Sequence, residues 1–133
     1  MEISAMVSIP APATSAKLRT DSVTQELTLP TISTGHGSSV SGGEILMLAL
    51  ATCYCNDLYR ETGQLGIPLG GVEAAATARF EGAGLAASGI RYRALFSSPA
   101  EKSRITELLR HTDVVAEVHN TLRTGVPVDL IVV

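Results

Sequence analysis

The sequence predicts an α+β fold, and three observations lead to it. One long apolar stretch, Glu44 to Arg60, reads as a helix; runs of alternating polarity on either side of it read as strands; two shorter amphipathic helices follow. The central helix has the clearest ends. Ser41 and Glu44 form the S-x-x-E pattern in which each side chain satisfies an amide of the first turn, and Gly63 is placed to close the helix in a left-handed conformation. Ile45 to Ala51 is apolar on every side, as expected of a core helix or a membrane span. A span needs about 20 apolar residues. The run instead gives way after Cys55 to Asn56, Asp57 and Arg60, so it predicts a buried core helix and no membrane partner.

Ahead of this helix, Ile3, Ala5, Val7 and Ile9 lie on one face of a strand that Pro10 and Pro12 interrupt. Ala16 to Thr20 forms a second strand, Asp21 and Ser22 a turn, and Val23, Gln25, Leu27 and Leu29 one face of a third. Pro30 to Gly43 is a Gly/Ser/Thr loop carrying His36, long enough to suggest a function. After the helix, Val72 to Phe80 and Ile90 to Phe96 alternate around a turn at Gly82 to Ser88 and make a hairpin. Ser98-Pro99-x-Glu101 signals a helix start, with Ile105, Leu108 and Leu109 as the buried stripe. Asp113 is placed to cap a second helix, with Val115, Val118 and Leu122 on its apolar face and Gly125 as its close. Val126, Val128, Leu130 and Val132 predict a last strand.

The totals narrow the function. A chain of 133 residues with 45% hydrophobic and 17% charged residues is expected to fold as a single domain over residues 1–133 rather than remain disordered. A net charge of −3, no Trp and few aromatics argue against a nucleic-acid partner. Cys53 and Cys55, the only cysteines, point about 200° apart on a helix and make no disulfide framework. Scattered histidines without C-x-x-C spacing predict no metal, the glycine runs match neither a dinucleotide nor a P-loop pattern, and no cofactor is expected. The first residues lack a signal-peptide pattern, so a cytoplasmic location is expected.

Two stretches carry a specific resemblance. Gly43-Glu-Ile-Leu-Met-Leu-Ala-Leu-Ala-Thr-Cys53-Tyr resembles the "PEELLLAALAACF" helix of the osmotically inducible protein C and organic hydroperoxide resistance proteins. Val115-Ala-Glu-Val-His-Asn-Thr-Leu-Arg-Thr-Gly-Val-Pro-Val128 resembles the family's "CPVSKTL…GVPV" segment, and the hairpin between them has the right position. The resemblance implies an OsmC-like α+β fold, antiparallel sheets wrapped around the central helices of an intertwined homodimer, with the sites at the interface.

It also implies a chemistry. Peroxidases of this family attack the O–O bond with one cysteine and resolve the sulfenic acid with a second. Cys53 matches the attacking cysteine, whereas the resolving cysteine falls at Ala116. The family's Pro-Glu falls at Gly42-Gly43, with Glu44 one residue on, and Lys17 and Arg19 are the nearest basic residues for the family arginine. The implied site is therefore Cys53, Glu44 and Arg19, acting on a small apolar hydroperoxide with an external thiol as reductant. On the residues alone, Cys53 and Cys55 read as small core hydrophobes, Glu44 as a capping carboxylate, Arg19 as a solvated strand residue, and His36 and His119 as surface or cap residues. The alternatives to a one-cysteine peroxidase are a non-catalytic dimer that binds a small ligand and a redox sensor pairing Cys53 across the dimer.

Overall fold

The computed structural model describes residues 1–9, 14–32 and 37–132, and His36 lies outside them. The chain divides into two compact units, Met1–Ile45 and Leu46–Val133.

The first unit is an antiparallel sheet of β1 (Ile3–Ser8), β2 (Thr14–Thr20) and β3 (Val23–Leu29), in that order. Thr20 pairs with both Ile3 and Val23, so Asp21 and Ser22 alone connect β2 to β3. A turn this tight needs a residue at positive φ, and Asp21 takes φ 50°, which a short polar side chain tolerates. Asp21 is also tied twice to Glu2: its amide donates to the Glu2 carbonyl at 2.9 Å, and its carboxylate accepts from the Glu2 amide at 2.8 Å.

Helix α1 (Gly42–Leu65) has the predicted start. The Ser41 amide donates to Glu44 Oε2 at 2.7 Å and the Glu44 amide to Ser41 Oγ at 3.1 Å. Its end lies beyond the prediction. Gly63 sits inside the helix, and Gly66, at φ 65°, closes it with its amide on the Thr62 carbonyl at 2.9 Å. The expectation that no face of this helix meets water is also corrected for the single chain: Leu48 is 57% exposed. What is buried is a stripe at helical spacing, Leu50, Tyr54, Asp57, Leu58 and Glu61. Two acids thus lie on the inward stripe.

In the second unit β4 (Val72–Arg79) and β5 (Ser88–Phe96) form the predicted antiparallel hairpin, from Val72 opposite Phe96 to Arg79 opposite Ser88. Helices α2 (Lys102–Val115) and α3 (Glu117–Thr124) follow. Tyr54 and Leu58 of α1, Ile67 and Leu108 make the core, with Val72, Tyr92, Phe96 and Leu109 packed against it. The alternating hairpin and the α2 stripe therefore bury their apolar faces together.

Three further expectations are corrected here. Ser98 does not cap α2; its hydroxyl donates to the Pro68 carbonyl at 2.6 Å and accepts the Ala100 amide at 3.1 Å, and the helix begins after Glu101. Asp113 does not start a helix either. It lies in the last turns of α2, where its carboxylate accepts from Arg123 at 2.6 Å and from the Tyr92 hydroxyl. Ala116 is the hinge between α2 and α3, and Gly125, at φ 62°, ends α3 as predicted. The last strand is absent among the described residues: 126–132 pair with no other segment there, and Val128 is 97% exposed.

Candidate active site around Cys53

Cys53 projects from the middle of α1 toward the start of α3. Its thiol donates to Asp57 Oδ2 at 3.3 Å, one turn along the same helix, and Glu117 Oε2 lies 3.9 Å from the sulfur. Val118, in the first turn of α3, lies next to Glu117 and favours the ionised sulfur. Burial pushes the Cys53 thiol above its ordinary range; the Val118 amide pulls it down, and the Asp57 hydrogen bond and the Asp57 and Glu117 charges add to the rise. The resting group is therefore the neutral thiol.

The carboxylates are gathered by one cation that sequence reasoning missed. Arg60 reaches Asp57 Oδ1 at 3.1 Å, Glu61 Oε1 at 2.9 Å and Glu117 Oε1 at 3.4 Å. The Glu61 hydrogen bond holds the guanidinium above its ordinary range, and Arg60 in turn, with His111, holds Glu61 below its own. His111 Nε2 stands 2.8 Å from Glu61 Oε2, and because a carboxylate only accepts, that nitrogen carries the hydrogen. The signal available in the sequence was the run Asn56-Asp57-x-x-Arg60-Glu61, whose i, i+3 spacing pairs Asp57 with Arg60. Nothing local pointed to Glu117, which is 57 residues away.

The other expected site residues lie in the first unit and are engaged there. Glu44 completes the α1 cap, which lowers its carboxyl through the Ser41 amide and then the Ser41 hydroxyl. Arg19 pairs with Glu2 at 3.3 Å on the sheet surface. Ala116, at the resolving position, is fully buried in the second unit. His119, expected at the surface or in a cap, is buried. Cys53, Asp57 and Glu117 also present three metal-ligating atoms within 4.8 Å of one another. Arg60 already pairs with both carboxylates, so a cation would have to compete with it.

These contacts predict how the thiol titrates. Replacing both neighbours (Asp57→Asn with Glu117→Gln) removes two upward influences on the thiol. The pH profile of Cys53 alkylation should move to lower pH, and the rate at pH 7 should rise about tenfold as the thiolate fraction grows. Alkylation kinetics with iodoacetamide from about pH 6 to 10 measure this, and an unmoved profile would show that the carboxylates do not govern the thiol.

A family model described as OsmC-like protein matches residues 35–131. Solved structures agree in fold. An OsmC-like protein from Mycoplasma pneumoniae superposes with a TM-score of 0.70 at 16% identity, covering 92% of this chain and 88% of that one. An OsmC-like protein of unknown function from Vibrio cholerae gives 0.59 at 12% identity, covering 91% and 93%. An OsmC-like hydroperoxide resistance protein from Jannaschia sp. CCS1 gives 0.54 at 10% identity, covering 95% and 86%. No curated protein matches the chain in sequence. No helix among the described residues is long and apolar enough to cross a membrane.

Proposed function

Because the chain belongs to the OsmC-like protein family, we propose that it is a one-cysteine thiol peroxidase that reduces small organic hydroperoxides through Cys53. The observation that carries this reading is the Cys53 thiol, at the position where the family resemblance puts the attacking cysteine, donating to Asp57 Oδ2 at 3.3 Å beside the first turn of α3. A helix N-terminus favours negative charge, so α3 meets the thiolate as it forms. The name of the Jannaschia relative points the same way.

The steps follow from the contacts. Asp57 Oδ2 accepts the thiol proton, and the thiolate attacks the distal peroxide oxygen. The O–O bond breaks, an S–O bond forms, and the departing alkoxide takes the proton from Asp57 to leave as an alcohol. Cys53 is then a sulfenic acid. With alanine at position 116, an external dithiol completes the cycle. Its first thiol forms a mixed disulfide with Cys53 and releases water; its second displaces Cys53 as a thiol and leaves the reductant oxidised. A steady-state assay with cumene hydroperoxide and a dithiol tests the proposal, and absence of turnover overturns it.

The raised Cys53 thiol favours a second reading, an OsmC-like dimer that binds a small molecule without chemistry. The same assay separates the two. Both readings include the homodimer, in which the exposed Leu48 of the apolar helix would be covered. Sedimentation at micromolar concentration is expected to give twice the 13.9 kDa chain mass; a stable monomer would remove the dimer from both.

A further inference from the structure

The outer face of the β4–β5 hairpin gathers like charges. Arg79 on β4 and Arg91 and Arg93 on β5 are exposed, while Tyr92 and Ala94 turn inward to the core. Thr77 stands opposite Arg91 and Ala75 opposite Arg93, so no acid faces either arginine across the ladder. None of the three arginines takes part in an ion pair among the described residues. Residues two apart on one strand are about 7 Å apart along the backbone. Like charges gathered on one face disfavour a sheet, and a bound anion would relieve that cost.

A bulge shapes this face into a pocket. Thr77 pairs with Arg91 but Arg79 with Ser88, so Gly89 and Ile90 of β5 together face Ala78 of β4. Gly89 takes φ 59°, the left-handed conformation that glycine supplies at one kind of bulge, and a bulge re-aims the side chains beside it. Arg79 and Arg91 here border a depression of about 340 Å³ whose other walls are Thr77, Ala78 and Gly89. A Cβ on Gly89 would meet nothing within 4 Å, so the space beside it is open. The lining thus offers two guanidiniums and a hydroxyl, with no carboxylate. Guanidinium forks match phosphate oxygens, and two of them match a dianion. The volume lies near the lower end of the range of small-molecule sites, about 300–1,000 Å³.

We propose that this depression binds the phosphate group of a small soluble phosphomonoester, held between Arg79 and Arg91 with the Thr77 hydroxyl as a further donor. It goes beyond the peroxidase reading and uses none of the sulfur chemistry. Phenyl phosphate is the probe, added to protein carrying ¹⁵N-labelled arginine. The Arg79 and Arg91 Nε resonances should shift saturably, with a Kd near or below about 1 mM. Arg79→Gln and Arg91→Gln should each weaken binding about tenfold. Lys102→Gln removes the same charge elsewhere on the surface and should leave the affinity within about twofold. Benzenesulfonate, with the same ring but a single charge, should bind about fivefold more weakly or worse. No saturable shift up to about 10 mM phenyl phosphate, or an equal loss in Lys102→Gln, would overturn the proposal. So would binding to phosphatidylcholine vesicles carrying phosphatidic acid without any response to phenyl phosphate, since a charged surface and not the pocket would then be recognised.

Discussion

Cys53→Ser should reduce hydroperoxide turnover by about 10³-fold or more, to the uncatalysed rate. The size of the effect follows from what serine cannot do. Its hydroxyl is far less acidic than a thiol, so Asp57, 3.3 Å away in the native chain, gives no useful population of the ionised form. Serine also has no counterpart of the sulfenic acid on which the second half of the cycle depends. Cys55 offers no substitute, because two residues along a helix it points about 200° away. Cys55→Ser should accordingly leave turnover within about twofold. Turnover that survives Cys53→Ser would place the chemistry elsewhere in the molecule.

Leu108→Ala should cost about 3 kcal/mol of folding stability, within the range for emptying a fully buried leucine site. Leu108 has no exposed surface and sits with Tyr54, Leu58 and Ile67 where α1, α2 and the hairpin share a core. The change removes the transfer energy of the lost methyl groups and leaves a cavity that the flanking tyrosine and leucine are too constrained to fill. A small domain is stable by about 5–15 kcal/mol, so the loss is a large share of the whole. Urea unfolding should show a lower midpoint with an unchanged slope. A loss below about 1 kcal/mol would mean that the core relaxes around the gap, contrary to the packing described.

Much of the architecture was legible in the sequence because its determinants are local. The alternations of β1 to β5 and the reciprocal Ser41–Glu44 cap depend on neighbours within a few residues, and all of them form. The errors share a cause. Ser98 and Asp113 are good caps by type, but a carbonyl at Pro68 and a guanidinium at Arg123 compete for them. Gly63 is a good helix end by type, yet Gly66 takes the left-handed turn three residues later. The tail alternates as a strand would, yet it pairs with no other segment among the described residues.

The site divides along the same line. That Cys53 lies inside the central helix was legible, and the acids of the inward stripe were at least present in the right period. The joining of α1 to Glu117 and Val118 was not legible, since it depends on how the hinge at Ala116 aims α3. His119 illustrates the limit in the other direction. A lone histidine reads as a surface residue, and only the surrounding tyrosines show it to be enclosed.

The β2–β3 and β4–β5 hairpins differ in how much drift they permit. The corner at Asp21 and Ser22 is fixed in length, since one added residue would turn every side chain of a neighbouring strand to the opposite face and break the double tie to Glu2. The span between Arg79 and Ser88 carries no such ties among the described residues and is exposed almost throughout. Spliced peptides or fluorescent reporters belong in the second corner, and the first should reject them.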